Sequence, residues 1–173
     1  NEDRILVVLK SGEYYLTNFD LTNRYQMNDI FAIDKLYPTT VISAVHYSDA
    51  KKCNFVKRFH IETTTIDTKY SIISDENNAK LVFATLFSNP TVAYTIDLGK
   101  GKTSEPEQVN LAEFIEVKGW KAIGNKLCGG SIKEMKLVEM PADEAEEQQV
   151  NFDVDFEITN LGENKEPQQG ELF

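Results

Sequence analysis

Apolar residues recur at every second position along most of residues 1–138, whereas the helical spacing of three and four is rare. This period is typical of strands that bury one face. Val, Ile, Thr, Tyr and Phe dominate the apolar runs, in line with their preference for extended backbone. The pattern predicts strands at residues 5–9, 14–18, 30–36, 40–47, 54–61, 69–74, 79–87, 91–97, 109–117 and 132–138.

Short polar stretches with turn chemistry separate these runs. Asp75-Glu-Asn-Asn78 and Ser88-Asn-Pro90 predict tight turns, and residues 98–108 form a Gly/Lys/Pro-containing loop. Many short strands at this spacing indicate an all-β fold with almost no helix: a sandwich, a barrel or a propeller. Internal repeats are faint, and three to four blade-like units of about 40 residues fit the length.

Two segments carry most of the information. Residues 4–20 read as a hairpin in which Lys10-Ser-Gly-Glu13 supplies the turn and Gly12 adopts a positive φ. Residues 113–127 run from an alternating strand into two glycines, Gly119 and Gly124, with three interleaved lysines and the chain's single tryptophan. Glycine permits a sharp turn or a close approach to another backbone, and lysines at such a turn are well placed to meet phosphate.

Together the two segments resemble the C-terminal domain of the A subunit of bacterial type IIA topoisomerases, DNA gyrase and topoisomerase IV. The resemblance covers residues 4–137 and is closest at residues 5–20 and 114–127. It implies a β-pinwheel of about three to four small blades that contacts the duplex DNA backbone without sequence specificity. Gyrase A subunits carry a Gln-Arg-Arg-Gly-Gly-Arg-Gly box for wrapping DNA. That box does not occur here, which favours a subunit of the topoisomerase IV type.

The resemblance also has implications for the whole enzyme. This domain would need no cofactor, whereas the enzyme would use ATP and Mg²⁺ and would assemble an A-subunit dimer with B subunits. The enzyme would be cytoplasmic and nucleoid-associated, and its cleavage tyrosine would lie in another domain. The start at Asn1 predicts an excised fragment with that domain upstream. Arg24-Tyr25 lacks the family's active-site context, so we do not assign Tyr25 as catalytic.

Charge is distributed unevenly along the chain. The net charge is −10, with 28 acidic and 18 basic residues. Residues 139–173 hold eleven of the acids and one base, which leaves 17 acids and 17 bases in residues 1–138. A neutral body can still carry a basic face, so the acidic total does not exclude DNA binding. The expected DNA contacts are basic residues predicted at turns or strand ends: Lys51, Lys52, Lys57, Arg58, Lys100, Lys102, Lys118, Lys121 and Lys126.

We interpret residues 1–138 as the DNA-binding domain and residues 139–173 as an acidic tail. Within the tail, residues 150–158 alternate apolar and mostly acidic positions, which fits either a solvated disordered segment or an added edge strand. The last five residues resemble the pentapeptide that binds the replication sliding clamp, through Gln169, Leu172 and Phe173, although Gly170 stands where that motif usually has Leu. A chain end without function is the alternative.

Few residues point to catalysis. His46 and His60 are isolated and read as core or surface residues, and no Gly-rich phosphate loop occurs. Cys53 and Cys128 match no metal or redox spacing and are expected to be free thiols. No apolar run is long enough to span a membrane. We expect no signal peptide, because residues 1–3 are polar and acidic and the apolar run behind them is short. Trp120 is expected to close the core between neighbouring blades while Lys118 and Lys121 point outward.

Two other function classes remain open at this point. A β-propeller-like module that binds proteins and never touches DNA would suit the neutral body and the acidic tail. A β-rich enzyme or carbohydrate-binding module is also compatible with the fold class, but the sequence contains no recognisable site for one.

Overall fold

In the computed structural model, residues 3–20 and 22–138 are described. The chain divides into two units, Asn1–Val138 and Glu139–Phe173, and the second lies outside the described residues. The predictions for residues 150–158 and for Gln169, Leu172 and Phe173 therefore also lie outside them.

The described part contains twelve strands and one four-residue α-helix, α1 (Leu111–Phe114), and a single 3-10 turn at Met27–Asp29. The strands are β1 (Ile5–Leu9), β2 (Glu13–Thr17), β3 (Ile30–Lys35), β4 (Val41–Ser48), β5 (Cys53–His60), β6 (Tyr70–Ser71), β7 (Lys80–Thr85), β8 (Thr91–Gly99), β9 (Lys102–Thr103), β10 (Glu107–Asn110), β11 (Asn125–Gly129) and β12 (Ile132–Leu137). The prediction of an all-β domain is confirmed.

The strands form three antiparallel sheets of four strands each. The first sheet has the order β3-β1-β2-β6, and the third has the order β10-β8-β12 with β9 also paired to β8. The sheet β11-β5-β4-β7 is called the central sheet here, because it contributes to both hydrophobic cores. The arrangement of these sheets as a pinwheel of three to four blades stays a prediction.

The central sheet is buried on both faces. Ile42, Ala44 and Phe59 on one face pack against Leu6 and Tyr14 of the first sheet. On its other face, Val45 and Val56 pack with residues of the third sheet and of α1: Val92, Tyr94, Leu111, Ile115 and Ile132. Strands covered on both sides read as near-continuous apolar runs, which explains the buried stretches of β4 and β5.

The hairpin at the start of the chain forms as predicted. Strands β1 and β2 pair from Ile5 opposite Thr17 to Val8 opposite Tyr14. Gly12 occupies the turn with φ of +99°, and its amide donates to the Leu9 carbonyl at 3.0 Å. A Cβ at this position would also crowd the side chain of Ile73, so the turn requires glycine for two reasons.

Three parts of the predicted strand pattern are wrong. Residues 109–117 do not form one strand, because β10 ends at Asn110 and α1 follows. The Asn110 side chain accepts a hydrogen bond from the Glu113 amide at 2.9 Å, which caps the helix. The expected loop at residues 98–108 contains β9 and the start of β10, and β11 forms where no strand was predicted.

Candidate nucleic-acid interface

Residues 118–126, called the lysine segment here, lie along the edge of β5. The Lys118 amide donates to the Arg58 carbonyl at 2.8 Å, and Lys126 pairs with Phe55 where β11 joins the sheet. The two ends of the segment are thus three β5 residues apart, or about 10 Å at strand spacing. The chain between them runs outward and back, with the Ala122 amide bonded to the Gly119 carbonyl at 3.1 Å.

Gly124 allows the segment to return to the sheet. Its φ is +98°, and a Cβ there would overlap the Val56 carbonyl of β5. Gly119, in contrast, has no neighbour within 4 Å of its added Cβ and does not have a positive φ. Of the two glycines singled out in the sequence, only Gly124 makes the close backbone approach that we expected.

Two buried side chains of the central sheet also hold the segment. Lys57 Nζ donates to the Trp120 carbonyl at 2.6 Å and to the Ile72 carbonyl at 3.0 Å. His46 Nε2 lies 2.8 Å from the Ile123 carbonyl. These bonds fix the backbone that carries the three lysines, while leaving their side chains in solvent.

Trp120 packs the lysine segment against the core that lies between the first sheet and the central sheet. Its half-buried ring makes edge contacts with Tyr14 and Tyr70 of the first sheet, at centroid distances of 6.2 and 5.7 Å. Its carbonyl is held by Lys57 of the central sheet. The predicted core role of Trp120 is confirmed in that the ring packs on the core, although it is not fully buried.

Lys118, Lys121 and Lys126 are all exposed. Lys121 Nζ lies 5.5 Å from the Trp120 ring centroid, and within the described part of the chain none of the three lysines forms an ion pair with a carboxylate. Glu116 is exposed two residues before Lys118 and offsets part of their charge. The segment nevertheless presents three available cations on one continuous stretch of backbone.

Other predicted contact residues occupy ordinary surface positions. Lys51 and Lys52 lie in the exposed turn between β4 and β5, and Lys52 pairs with Asp49 at 2.7 Å. Lys100 lies in the turn between β8 and β9, and Lys102 begins β9; both are exposed. The structure therefore brings Lys118, Lys121 and Lys126 together on one segment, while the lysines of these two turns belong to other loops.

Lys57 and Arg58 differ from the prediction. They lie inside β5 rather than at a turn or strand end, and they are only 5% and 8% exposed. Arg58 Nε donates to Ser43 Oγ at 2.9 Å and its Nη2 donates to the Ser88 carbonyl at 3.0 Å. Both side chains are engaged inside the fold, so they do not present charge to DNA.

The sequence analysis did not predict that His46 and Lys57 are buried and hold the lysine segment, although the strand pattern contains evidence for their burial. Lys57 stands between Phe55 and Phe59 at alternate positions of one strand, and His46 follows Ile42 and Ala44 in the same way. Residues at alternate positions share a face, so both belonged to an apolar, buried face. Burial lowers the pKa of Lys57 to about 8 and also lowers the pKa of His46.

The remaining candidates agree with their expected ordinary roles. His46 is buried, and His60 is exposed with Nδ1 3.1 Å from the Thr40 carbonyl. Cys53 and Cys128 are free thiols. Among the described residues, no cluster of His, Cys, Asp and Glu is arranged to hold a metal ion, and no helix has the length and hydrophobicity needed to cross a membrane.

Comparison with known proteins identifies the family of the chain. No curated protein sequence and no solved structure matches the chain. The family described as topoisomerase C-terminal domain, Bacteroidota, matches residues 1–139, which include all twelve strands and the lysine segment. The chain therefore belongs to the family of topoisomerase C-terminal domains of Bacteroidota.

Proposed function

We propose that this domain contacts the backbone of duplex DNA through the lysine segment. The observation that carries the proposal is the placement of Lys118, Lys121 and Lys126, which are exposed and fixed on one backbone segment and form no ion pair with a carboxylate of the described residues. The ends of the segment lie about 10 Å apart along β5. Three flexible lysine side chains on so short a stretch can neutralise neighbouring phosphates of one duplex.

The proposed contact is independent of DNA sequence. Reading bases in the major groove usually requires a helix or a two-stranded ribbon that enters the groove. The one α-helix among the described residues has only four residues, and Leu111 at its start is buried in the core between the central and third sheets. This helix is therefore not available to enter a groove. Lysines on a surface segment position a duplex by its phosphates and carry no base information.

Membership of the family supports a wider proposal for the complete enzyme. We infer that the chain is the C-terminal domain of a type IIA topoisomerase A subunit, closer to topoisomerase IV than to gyrase because the wrapping box is missing. The domain would position DNA for ATP-dependent relaxation and decatenation, without catalysing a step itself. ATP, Mg²⁺, the cleavage tyrosine and the B subunits would belong to the rest of this cytoplasmic, nucleoid-associated enzyme.

The experiment is a salt series with matched triple variants of the full chain. One variant changes Lys118, Lys121 and Lys126 to Gln, and the control changes the exposed residues Lys69, Lys133 and Lys136 to Gln. Each removes three positive charges, so the change in net charge is identical. The logarithm of the DNA-binding constant falls linearly with the logarithm of the salt concentration. Losing three phosphate contacts should make this slope shallower by about 2.7 in the first variant, whereas the control should keep the wild-type slope.

Equal slopes for the two variants would show that the DNA interaction depends only on net charge and would remove the lysine segment from the interface. No binding by the wild-type chain at low salt would contradict the DNA role itself. Different duplex sequences should bind with equal affinity, because the contacts are to phosphates.

The acidic residues 139–173 should weaken DNA binding by their charge alone. They hold eleven acids and one base, and a negative field repels a polyanion. Shortening the chain to residues 1–138 should raise affinity at low salt, and the gain should shrink as salt screens the repulsion. Equal affinity of both lengths at low salt would contradict this inhibitory effect.

A protein-binding role is the second candidate function, and exposed apolar side chains favour it. Phe19 and Met27 lie in the connection between β2 and β3, and their exposed fractions are 60% and 62%. Surface residues of this kind are enriched at interfaces with proteins. If the wild-type chain binds no DNA, substituting both residues with Ser should abolish binding to the other topoisomerase subunits. The sliding clamp remains a further proposed partner, through Gln169, Leu172 and Phe173.

A further inference from the structure

A cavity of about 260 Å³ that is open to solvent lies beside the lysine segment, between the central sheet and residues 71–75. His46 and Lys57 line it, and they are 1% and 5% exposed. In the β4–β5 register, Lys57 stands opposite Ala44 and His46 stands opposite Phe55. The two polar residues are therefore diagonal neighbours on one face of the sheet, close enough for one small ligand to reach both.

Lys57 brings a buried positive charge to this cavity without a matching negative charge. Its ammonium donates to two carbonyls and lies 5.2 Å from the centroid of the Phe59 ring, and an ammonium has a third donor. No carboxylate among the described residues forms an ion pair with Lys57. A buried charge is costly unless it is paired, and the cost is visible in the pKa of Lys57, which burial lowers to about 8. The amine is still mostly charged at pH 7.

His46 brings a buried acceptor with no partner. The Ile123 carbonyl can only accept, so Nε2 carries the proton and donates to it at 2.8 Å. Burial, together with the charge of Lys57, lowers the pKa of His46, so the ring is neutral at pH 7. Its Nδ1 is buried and has no hydrogen-bond partner among the described residues. Most buried polar atoms are satisfied, so this acceptor beside a buried ammonium points to a bound polar group.

We propose that this cavity binds an oxyanion that carries a hydroxyl group at neutral pH, namely inorganic phosphate. Its charged oxygens would accept from Lys57, and its hydroxyl would donate to Nδ1 of His46. One ligand would thereby satisfy both groups, which neither a cation nor a fully deprotonated anion can do. The proposal does not rest on the proposed DNA contact, although Lys121 of the lysine segment lies at the rim of the cavity.

The charged groups around the cavity are compatible with an anion. Asp75 and Lys121 are exposed at its rim and carry opposite charges. Glu76 is the other acid near His46, and its carboxylate already accepts from Ser48 Oγ and the Ala50 amide. Lys57 thus remains the charge of the cavity that no carboxylate of the described residues neutralises. Anion binding should raise its pKa, because the charged amine gains a partner.

The single tryptophan provides the assay, since Trp120 lines the cavity. Inorganic phosphate titrated into the full chain at pH 7 should change the Trp120 emission saturably. Sulfate at matched ionic strength should bind about tenfold more weakly, because it has no hydroxyl group to donate to His46. No saturable response to phosphate, or equal affinities for phosphate and sulfate, would overturn the proposal.

Methyl phosphate and dimethyl phosphate distinguish the source of the anion. The second pKa of the monoester is about 6, so it has lost most of its hydroxyl protons at pH 7 and should bind more weakly than inorganic phosphate there. At about pH 5.5 the monoester regains the hydroxyl and should bind as phosphate does. The diester imitates a DNA backbone phosphate and should not bind at either pH. Equal binding of both esters at about pH 5.5 would overturn the assignment to a hydroxyl-bearing phosphate and would instead make the cavity part of a DNA contact.

Variants test the two side chains separately. Lys57→Met should weaken phosphate binding at least about tenfold, and His46→Phe should abolish the preference for phosphate over sulfate. Lys69→Met and His60→Phe change the same residue types at exposed positions away from the cavity, and they should bind phosphate like the wild type. An unchanged phosphate-to-sulfate ratio in folded His46→Phe would overturn the proposal. If a cavity variant does not fold, the anion comparisons on the wild-type chain still decide the question.

Discussion

The middle of β5 and the lysine segment beside it use similar residues in opposite ways. Lys57 and Arg58 are buried and donate to oxygen atoms inside the domain, whereas Lys118 and Lys121 extend into solvent. The two regions are joined directly, because Lys57 holds the Trp120 carbonyl between the two exposed lysines. A basic residue on a strand covered on both faces becomes part of the framework, and one on an edge segment remains available for a ligand.

The strongest test of this comparison is to separate the segment from β5. In Gly124→Ala, the new Cβ would overlap the Val56 carbonyl and the backbone would keep an unfavourable positive φ. We expect a loss of about 3–4 kcal/mol in the free energy of unfolding, measured with urea. Gly119→Ala is the control and should change it by less than about 0.5 kcal/mol, because nothing lies within 4 Å of its Cβ. Equal effects of the two variants would contradict the close approach.

Replacing the buried Lys57 and the exposed Lys121 by methionine, one at a time, should separate the effect on stability from the effect on DNA affinity. Lys57→Met leaves the Ile72 and Trp120 carbonyls without their donor and should cost about 2–3 kcal/mol of stability. Lys121→Met should cost less than about 0.5 kcal/mol but should lower the salt slope of DNA binding by about 0.9. A stable Lys57→Met variant with the salt slope of Lys121→Met would reverse the two assignments.

Trp120→Ala should have a smaller effect on stability than a fully buried tryptophan would. Its ring is half-buried against Tyr14 and Tyr70, so we expect a loss of about 2 kcal/mol rather than the 3–5 kcal/mol typical of a complete core truncation. The DNA affinity of the folded fraction should barely change, as measured by fluorescence anisotropy of labelled duplex. A stable variant that had lost DNA binding would indicate that the indole itself contacts DNA.

The buried amine of Lys57 should also make stability depend on pH. Its folded pKa is about 8, below the unfolded value of 10.5, so the unfolded chain binds more protons between these values. Stability should therefore rise by about 1–2 kcal/mol from pH 8 to pH 9.5. Above pH 10 the raised pKa of Tyr14 and Tyr94, each about 12, should reverse the trend. The rise should be missing in Lys57→Met; a rise of equal size there would assign it to another group.

The local features that were predictable from sequence are those that depend on near neighbours. The first hairpin follows from its alternation and from Gly12. The core packing of Trp120 was also predicted, although the strand expected before it does not form. The helix α1 was missed because period two continued through it, although Asn110 and Glu113 have the spacing of a capping pair. Strand β11 was missed because Asn125–Gly129 has no apolar alternation and is defined by its pairing with β5.

In the candidate site, too, the features that depend on distant parts of the chain could not be predicted from the sequence. The exposure of Lys118 and Lys121 followed from a local turn, but the burial of Lys57 and Arg58 depends on the sheets that cover β5. The cavity beside His46 is formed by residues from β4, β5, 71–75 and 120–123, which are distant in the sequence. No local pattern could place them together.

The late position of β11 in the chain has a consequence for biosynthesis. Strand β5 ends at His60, but its edge partner begins only at Asn125, about 65 residues later. At about 5–20 residues per second, the growing chain exposes the unpaired edge of β5 for several seconds. Because β11 and β12 are adjacent in the chain but join different sheets, their emergence would complete the central and third sheets almost together. A ribosome that pauses before residue 125 would leave an open edge of β5 accessible to chaperones or to a neighbouring nascent chain.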